Sequence, residues 1–284
     1  MKFKDRRLVA INVVAGLLIA GAAVSFVKHS FARPSFEVCS ARYNRGTILG
    51  LEENGSPVAP SAIQASAFGH DRGVLDNLVI EPVAKAPAKH VMTIDVSGER
   101  NTSGGKPHPG VEFPWTPQSL TGVDAACLTY DVYIPENFAF ADGAVLPGFY
   151  AITKNGGDYS DTIRVDTRLV WGAQGEAELL VYANGQTGEA RTKYPVYDRT
   201  FPRGRWVRVE KEIVLNTPGV KNGIVRMWFN GNLETEVRAA DLRDDANIAI
   251  AGVASIVQRK GRTDKPVETE RTQVRISPYQ VRWN

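Results

Sequence analysis

Thr162-Ile163-Arg164-Val165-Asp166-Thr167-Arg168-Leu169-Val170-Trp171 alternates along its length. A β-strand sends successive side chains to opposite faces, so the period-two pattern predicts a strand with one buried side. Arg164, Asp166 and Arg168 fall on one face, and Ile163, Val165, Thr167, Leu169 and Trp171 on the other. Gly172-Ala173-Gln174-Gly175 is a turn, and it leads into Glu178–Ala183. There Glu178, Leu180 and Tyr182 share a face, opposite Leu179 and Val181. A short turn predicts that the two strands pair, which would set Asp166, Arg168 and Tyr182 on one polar surface. The plainer alternative is a solvated Arg–Asp pair beside an ordinary strand aromatic.

The same pattern recurs on both sides of this hairpin. Val91–Val96, Cys127–Ile134 (stopped by Pro135), Trp206–Leu215, Ile224–Phe229, Leu233–Val237, Ile248–Val257 and Gln273–Trp283 all read as strands. Asn230-Gly231 is a strong two-residue hairpin turn. Beyond the N-terminus no stretch carries a helical period of useful length. The expected fold class is therefore all-β, a jelly-roll β-sandwich of the concanavalin-like type, with an N-terminal transmembrane helix. Three regions are expected: residues 1–32 as a signal anchor or transmembrane segment, 33–88 as a tether and loops packed on the domain, and 89–284 as the jelly roll.

Compartment is read from the first region. Leu8 to Val27 is a run without charge, preceded by Lys2, Lys4, Arg6 and Arg7. Its length just suffices to span a bilayer core, and the flanking charge keeps the N-terminus cytoplasmic. Ser30-Phe31-Ala32 is an alternative signal-cleavage site. Either way the rest of the chain is expected outside the cytoplasm: anchored in the inner membrane and facing the periplasm, or secreted. The formal charge of +3 comes from this leader, since beyond residue 32 the remaining 29 of 34 basic residues face 30 of 31 acidic ones. Such a balance gives no global field for nucleic acid, and no nucleic-acid partner is expected. Cys39 and Cys127 are the two cysteines. They form either one disulfide or two separate buried thiols. The four histidines are scattered, no metal site is indicated, and no cofactor is called for.

Thr129-Tyr130-Asp131-Val132-Tyr133-Ile134-Pro135-Glu136-Asn137-Phe138 and Gly143-Ala144-Val145-Leu146-Pro147-Gly148-Phe149-Tyr150 resemble stretches of the alginate and glucuronan lyases of polysaccharide lyase family 14. So do Arg168-Leu169-Val170-Trp171 with Gly175-Glu176 and Tyr182, and the block from Gly204-Arg205-Trp206 through Leu215-Asn216-Thr217-Pro218-Gly219 to Trp228-Phe229-Asn230-Gly231. The resemblance covers residues 90–284. It implies a jelly roll whose concave sheet holds an acidic, uronate-containing polysaccharide, which the family cleaves by β-elimination. That reaction needs a cation to neutralise the uronate carboxylate, a base for the C5 proton and an acid for the leaving oxygen.

Carried over residue by residue, the resemblance makes Arg168 the carboxylate-binding cation and Tyr182 the acid or base. It also exposes gaps. A second tyrosine position is Leu180, a small hydroxyl position is Asp166, and the lysine position is Val145. His108, Lys154, Tyr150 and Lys193 are considered as replacements, with His108 ranked first as a third catalytic candidate. Arg164, Asp166, Lys193, Arg259 and Lys260 are candidate substrate-binding residues. A missing acid or base typically costs about 10²–10⁴ in rate. The chain is thus expected to be a lyase, a non-catalytic glycan-binding module, or an envelope structural protein. The two glycan readings require Arg168 and Tyr182 to project together into an open trough.

Overall fold

The structure is a computed structural model, and it describes residues 37–97, 108–120, 122–138, 140, 143–154, 159, 163–185, 188–259 and 272–284. The apolar run from Leu8 to Val27 and Lys260 lie outside the described residues. Among the described residues no helix is long and apolar enough to cross a membrane.

The strands are β1 (Arg45–Ile48), β2 (Glu52–Glu53), β3 (Ser56–Pro57), β4 (Leu78–Glu81), β5 (Val91–Asp95), β6 (Gly110–Trp115), β7 (Ala125–Tyr133), β8 (Ala144–Thr153), β9 (Ile163–Trp171), β10 (Glu176–Gly185), β11 (Gly188–Thr200), β12 (Trp206–Val214), β13 (Gly223–Phe229), β14 (Asn232–Ala240), β15 (Ile248–Arg259), β16 (Gln273–Ile276) and β17 (Gln280–Trp283). A nine-stranded sheet runs β14-β13-β12-β7-β16-β5-β4, with β17 also on β7 and β1 on β17. A six-stranded sheet runs β11-β10-β9-β8-β15-β6. The two pack as a β-sandwich. One core cluster joins Leu128, Val132, Val209 and Ile213 of the first sheet to Leu146, Phe149, Val165, Leu169 and Val253 of the second.

Of residues 33–88, expected to be tether and loops, the described residues 37–88 do more than wrap. Arg45–Ile48 pairs with the C-terminal strand, Leu78–Glu81 pairs with β5, and short helices span Pro60–Ser66 and Val74–Asn77. Leu49, Leu51, Ile63, Val74, Leu78 and Ile80 enter the main core. These apolar residues are spaced too irregularly to reveal a short edge strand in advance. Of the two options for the cysteines, the disulfide is the one found: Cys39 is bonded to Cys127 across a sequence separation of 88. It straps the first described residues onto β7. The strap is reinforced by the Tyr43 hydroxyl, which donates to Glu212 at 2.9 Å, and by an Arg42–Glu212 ion pair at 2.9 Å.

Two turns show why particular glycines are required. Asn230 and Gly231 both take positive φ, +48° and +82°, as a tight hairpin demands. Gly175, at φ +86°, closes the β9–β10 turn where an added Cβ would meet the Phe140 ring at 2.8 Å. That ring belongs to an end cap of Phe138, Phe140, Trp171, Phe201 and Phe229 in edge-on and tilted contact.

Candidate functional site on the six-stranded sheet

The β9–β10 hairpin pairs as the alternation predicts. Tyr182 stands opposite Asp166, and Leu180 opposite Arg168. On the other side of β9, Tyr150 stands opposite Asp166. On the far side of β10, Arg191 stands opposite Tyr182 and Lys193 opposite Leu180. Directly opposed residues of antiparallel strands share a face. One row therefore reads Arg191, Tyr182, Asp166, Tyr150, and the next reads Lys193, Leu180, Arg168. Both lie on the outer face, away from the core.

The Arg168 guanidinium is ion-paired with the Asp166 carboxylate, the two side chains being 23% and 7% exposed. Burial holds the Asp166 carboxyl above its ordinary range, against the pull of Arg168. Burial also works against the Arg168 charge, but the carboxylate beside it raises the guanidinium pKa further still. Arg168 Nε and Asp166 Oδ1 are buried and have no hydrogen-bond partner among the described residues. Tyr182 is half-buried, with the Arg191 guanidinium 5.7 Å from its ring centroid. Val145 and Val170 form an apolar patch with Ala251, Ala254 and Ile256, and Leu180 packs against it.

Lys211 approaches the same strands from the core side. Its Nζ donates to the carbonyls of Pro147 at 3.1 Å and Thr167 at 3.3 Å. Both acceptors lie where the β8–β9 register breaks, between Leu146 and Phe149. Gly148 makes the break feasible, because an added Cβ would sit 1.3 Å from the Thr167 carbonyl oxygen. Burial pulls the Lys211 pKa down to about 7.

Beside Asp166 the face carries an aromatic pair over β8. The Tyr159 ring meets Tyr150 edge-on at 4.8 Å, and His70 lies 6.1 Å from Tyr159. Residue 72 pairs with Glu112 through both backbone hydrogen bonds, at 2.8 and 2.9 Å, so the N-terminal segment walls the β6 edge. A cavity of about 130 Å³ lies between Gly69, His70, Asp71, Arg72, Glu112 and Tyr159. Burial pushes the Tyr150 phenol up to about 12 and Tyr159 higher. The Tyr150 hydroxyl is hydrogen-bonded to Thr116 at 2.5 Å. Neither phenol is suited to act as a base near neutral pH.

The sequence candidates therefore separate. Arg168, Asp166 and Tyr182 come together, and Lys193 lies beside them, ion-paired to Glu178 at 2.8 Å. Arg164 is half-buried, the extra residue where Ala151 and Ile152 oppose Val165 and Ile163. At that bulge Ile163, assigned by alternation to the core, packs instead on the outer apolar patch. His108 does not join the group. It sits at the start of β6, four strands from β10, or roughly 19 Å at the usual strand spacing. Its ring nitrogens are engaged by the Gly110 carbonyl at 3.1 Å and Gln258 at 3.0 Å. Arg259 is only 2% exposed and donates to the Ser97 carbonyl at 3.2 Å. Tyr159, His70, Glu112 and Lys211 were not anticipated. Only Lys211 left a signal, a lysine on the apolar side of Val207, Val209 and Ile213.

Fold and site define a two-sheet β-sandwich with a charged and aromatic patch on one outer face. The Polysaccharide lyase 14 family model matches residues 84–257, and the chain belongs to that family. Its structure is similar to the alginate lyase of Aplysia kurodai (19% identity, 76% of this chain and 90% of that one, TM-score 0.58). It is similar also to alginate lyase vAL-1 from Chlorella virus (16% identity, 81% and 99%, TM-score 0.59). The endo-β-1,4-glucuronan lyase of Trichoderma reesei aligns too (15% identity, 73% and 87%, TM-score 0.52). These likenesses show the fold. No curated protein sequence matches the chain.

Proposed function

We propose that this protein binds a uronate-containing acidic polysaccharide on the outer face of β9–β11 and does not cleave it by β-elimination. The observation that carries this reading is the closure of Arg168 on Asp166 beside Val145 and Leu180. An arginine already paired with a buried carboxylate is poorly placed to neutralise a second one in a developing enolate. Val145 and Leu180 stand where the resemblance to the family implies a lysine and a tyrosine, and neither moves a proton. Arg191 and Lys193 are exposed, and Tyr182 offers a ring beside them, which suits an anionic sugar chain. The Cys39–Cys127 disulfide and the Leu8–Val27 run support a location outside the cytoplasm, anchored at the membrane or secreted.

The test is to incubate the protein with alginate and with glucuronan. Ultraviolet absorbance of unsaturated uronate is followed in one arm, and retardation in glycan-containing native gels in the other. Absorbance is expected to stay flat while the protein is retarded. Tyr182→Ala and Arg191→Ala are each expected to weaken retardation by about tenfold. Rising absorbance sinks the non-cleaving half of the reading. Unretarded migration on every acidic glycan sinks the binding half.

A further inference from the structure

The cavity at the β6 edge is built by a part of the chain that lies outside the family match. Four of its six lining residues, Gly69, His70, Asp71 and Arg72, precede residue 84, where that match begins. Backbone pairing of residue 72 with Glu112 fixes this segment alongside β6. The Asn77 amide fixes the adjoining corner by donating to the His108 and Gly110 carbonyls, both at 2.8 Å. The wall is therefore a bonded extension of the sheet along its β6 edge.

Three features make the walled end a place for a ligand. First, the Tyr159 hydroxyl, which belongs to a residue lining the cavity, is buried and has no hydrogen-bond partner among the described residues. A buried hydroxyl left unpaired is costly, and such a group calls for a partner. Second, the lining mixes one imidazole, one guanidinium, two carboxylates and a phenol. Such a set suits hydroxyl groups, which donate to carboxylates and accept from cations, better than a bare anion. Third, Phe68 directly precedes the lining and is 86% exposed. It is held at φ +52°, next to Gly69 at +83°. A bulky residue in the left-handed region is a backbone outlier, and such outliers cluster at functional sites. An exposed ring in that position offers a flat apolar surface to the face of a pyranose.

The volume sets the size of the ligand. A cavity of about 130 Å³ has room for about four water molecules at bulk density, and so for no more than a single sugar ring. We infer that this cavity is a subsite for the terminal residue of an acidic glycan, so that the domain grips chain ends and not chain interiors. Resting on the glycan-binding reading above, it adds where along the polymer that binding occurs. The chain would lie over Tyr182 and Arg168, with its last ring against the wall of residues 69–72.

Chain-end binding is distinguished by how affinity follows chain length. One alginate preparation is compared before and after partial acid hydrolysis, at equal sugar mass, by calorimetric titration of the full-length protein. A tenfold cut in chain length raises the concentration of ends tenfold, so apparent affinity per unit mass should rise about tenfold. Phe68→Ala should lose about tenfold in affinity, and Phe68→Trp should keep it, with both variants melting like the parent because the side chain is exposed. Affinity that follows total sugar mass, or is unchanged in Phe68→Ala, overturns the chain-end inference and leaves the binding reading intact. Absence of heat with both preparations overturns the two together.

Discussion

At the scale of single residues, Asp166 governs what Arg168 can do. The carboxylate neutralises the one cation that the family resemblance points to, and it does so within a nearly dry pair. Asp166→Asn keeps the shape and removes the counter-charge. Affinity for alginate is expected to rise about tenfold, because a charge-assisted hydrogen bond to a uronate becomes available. The melting temperature should fall at the same time, since breaking a buried pair leaves a charge uncompensated. Titration calorimetry and thermal melting read the two effects on one variant.

Lys211 makes the stability of the fold depend on pH in a defined direction. Its pKa is about 7 in the folded protein and returns to the ordinary 10.5 on unfolding. Between those values the unfolded chain holds a proton that the folded chain lacks, so stability rises with pH across that window. Below pH 7 both states are protonated and above 10.5 neither is, so the dependence vanishes outside it. The slope contributed is at most about 1.4 kcal/mol per pH unit. Urea denaturation across this window should show that rise in the parent protein and its loss in Lys211→Met.

Among the elements, the bulge in β8 connects core and face. Gly148 lets β8 approach β9 where a side chain would meet backbone. Gly148→Ala is expected to cost roughly 3 kcal/mol or more, measured by chemical denaturation, because backbone cannot yield as a side chain does. The β9–β10 hairpin was legible because alternation and turn residues are local. Its polar row was legible for the same reason, down to Tyr182 facing Asp166. The β8 bulge was not, since a single inserted residue reverses the faces beyond it without altering composition. The placement of His108 and Arg259 was not legible for a related reason. Their chemistry suited the expected function, but their strand order and burial depend on contacts made far along the chain. Leu180 and Val145, by contrast, are apolar by identity alone, and both lie in the outer apolar patch.

For the molecule as a whole, the nine-stranded sheet is held where its first described strand meets its last. β1 pairs with β17, matching Arg45 with Trp283 and Ile48 with Gln280, and the Cys39–Cys127 bond pins the leading segment to β7. By chain entropy, closing a loop of that length stabilises by roughly 4–5 kcal/mol. A Cys39→Ser, Cys127→Ser double variant should lose about that much in chemical denaturation. The disposition of residues 37–88 was the least legible part of the fold. Its strands are four residues or fewer and draw their order from the sheet they join.

The disulfide also decides how tension would travel through the protein. A pull applied ahead of Cys39 and at the C-terminus enters β7 directly through the sulfur bridge, bypassing everything between the two cysteines. The segment that walls the β6 edge lies inside that bypass, so a domain tugged by its leading end keeps its recognition wall slack. In single-molecule stretching, the bridged segment, 88 residues in sequence separation, should stay unextended until a reductant is added, when roughly 300 Å of new length is released.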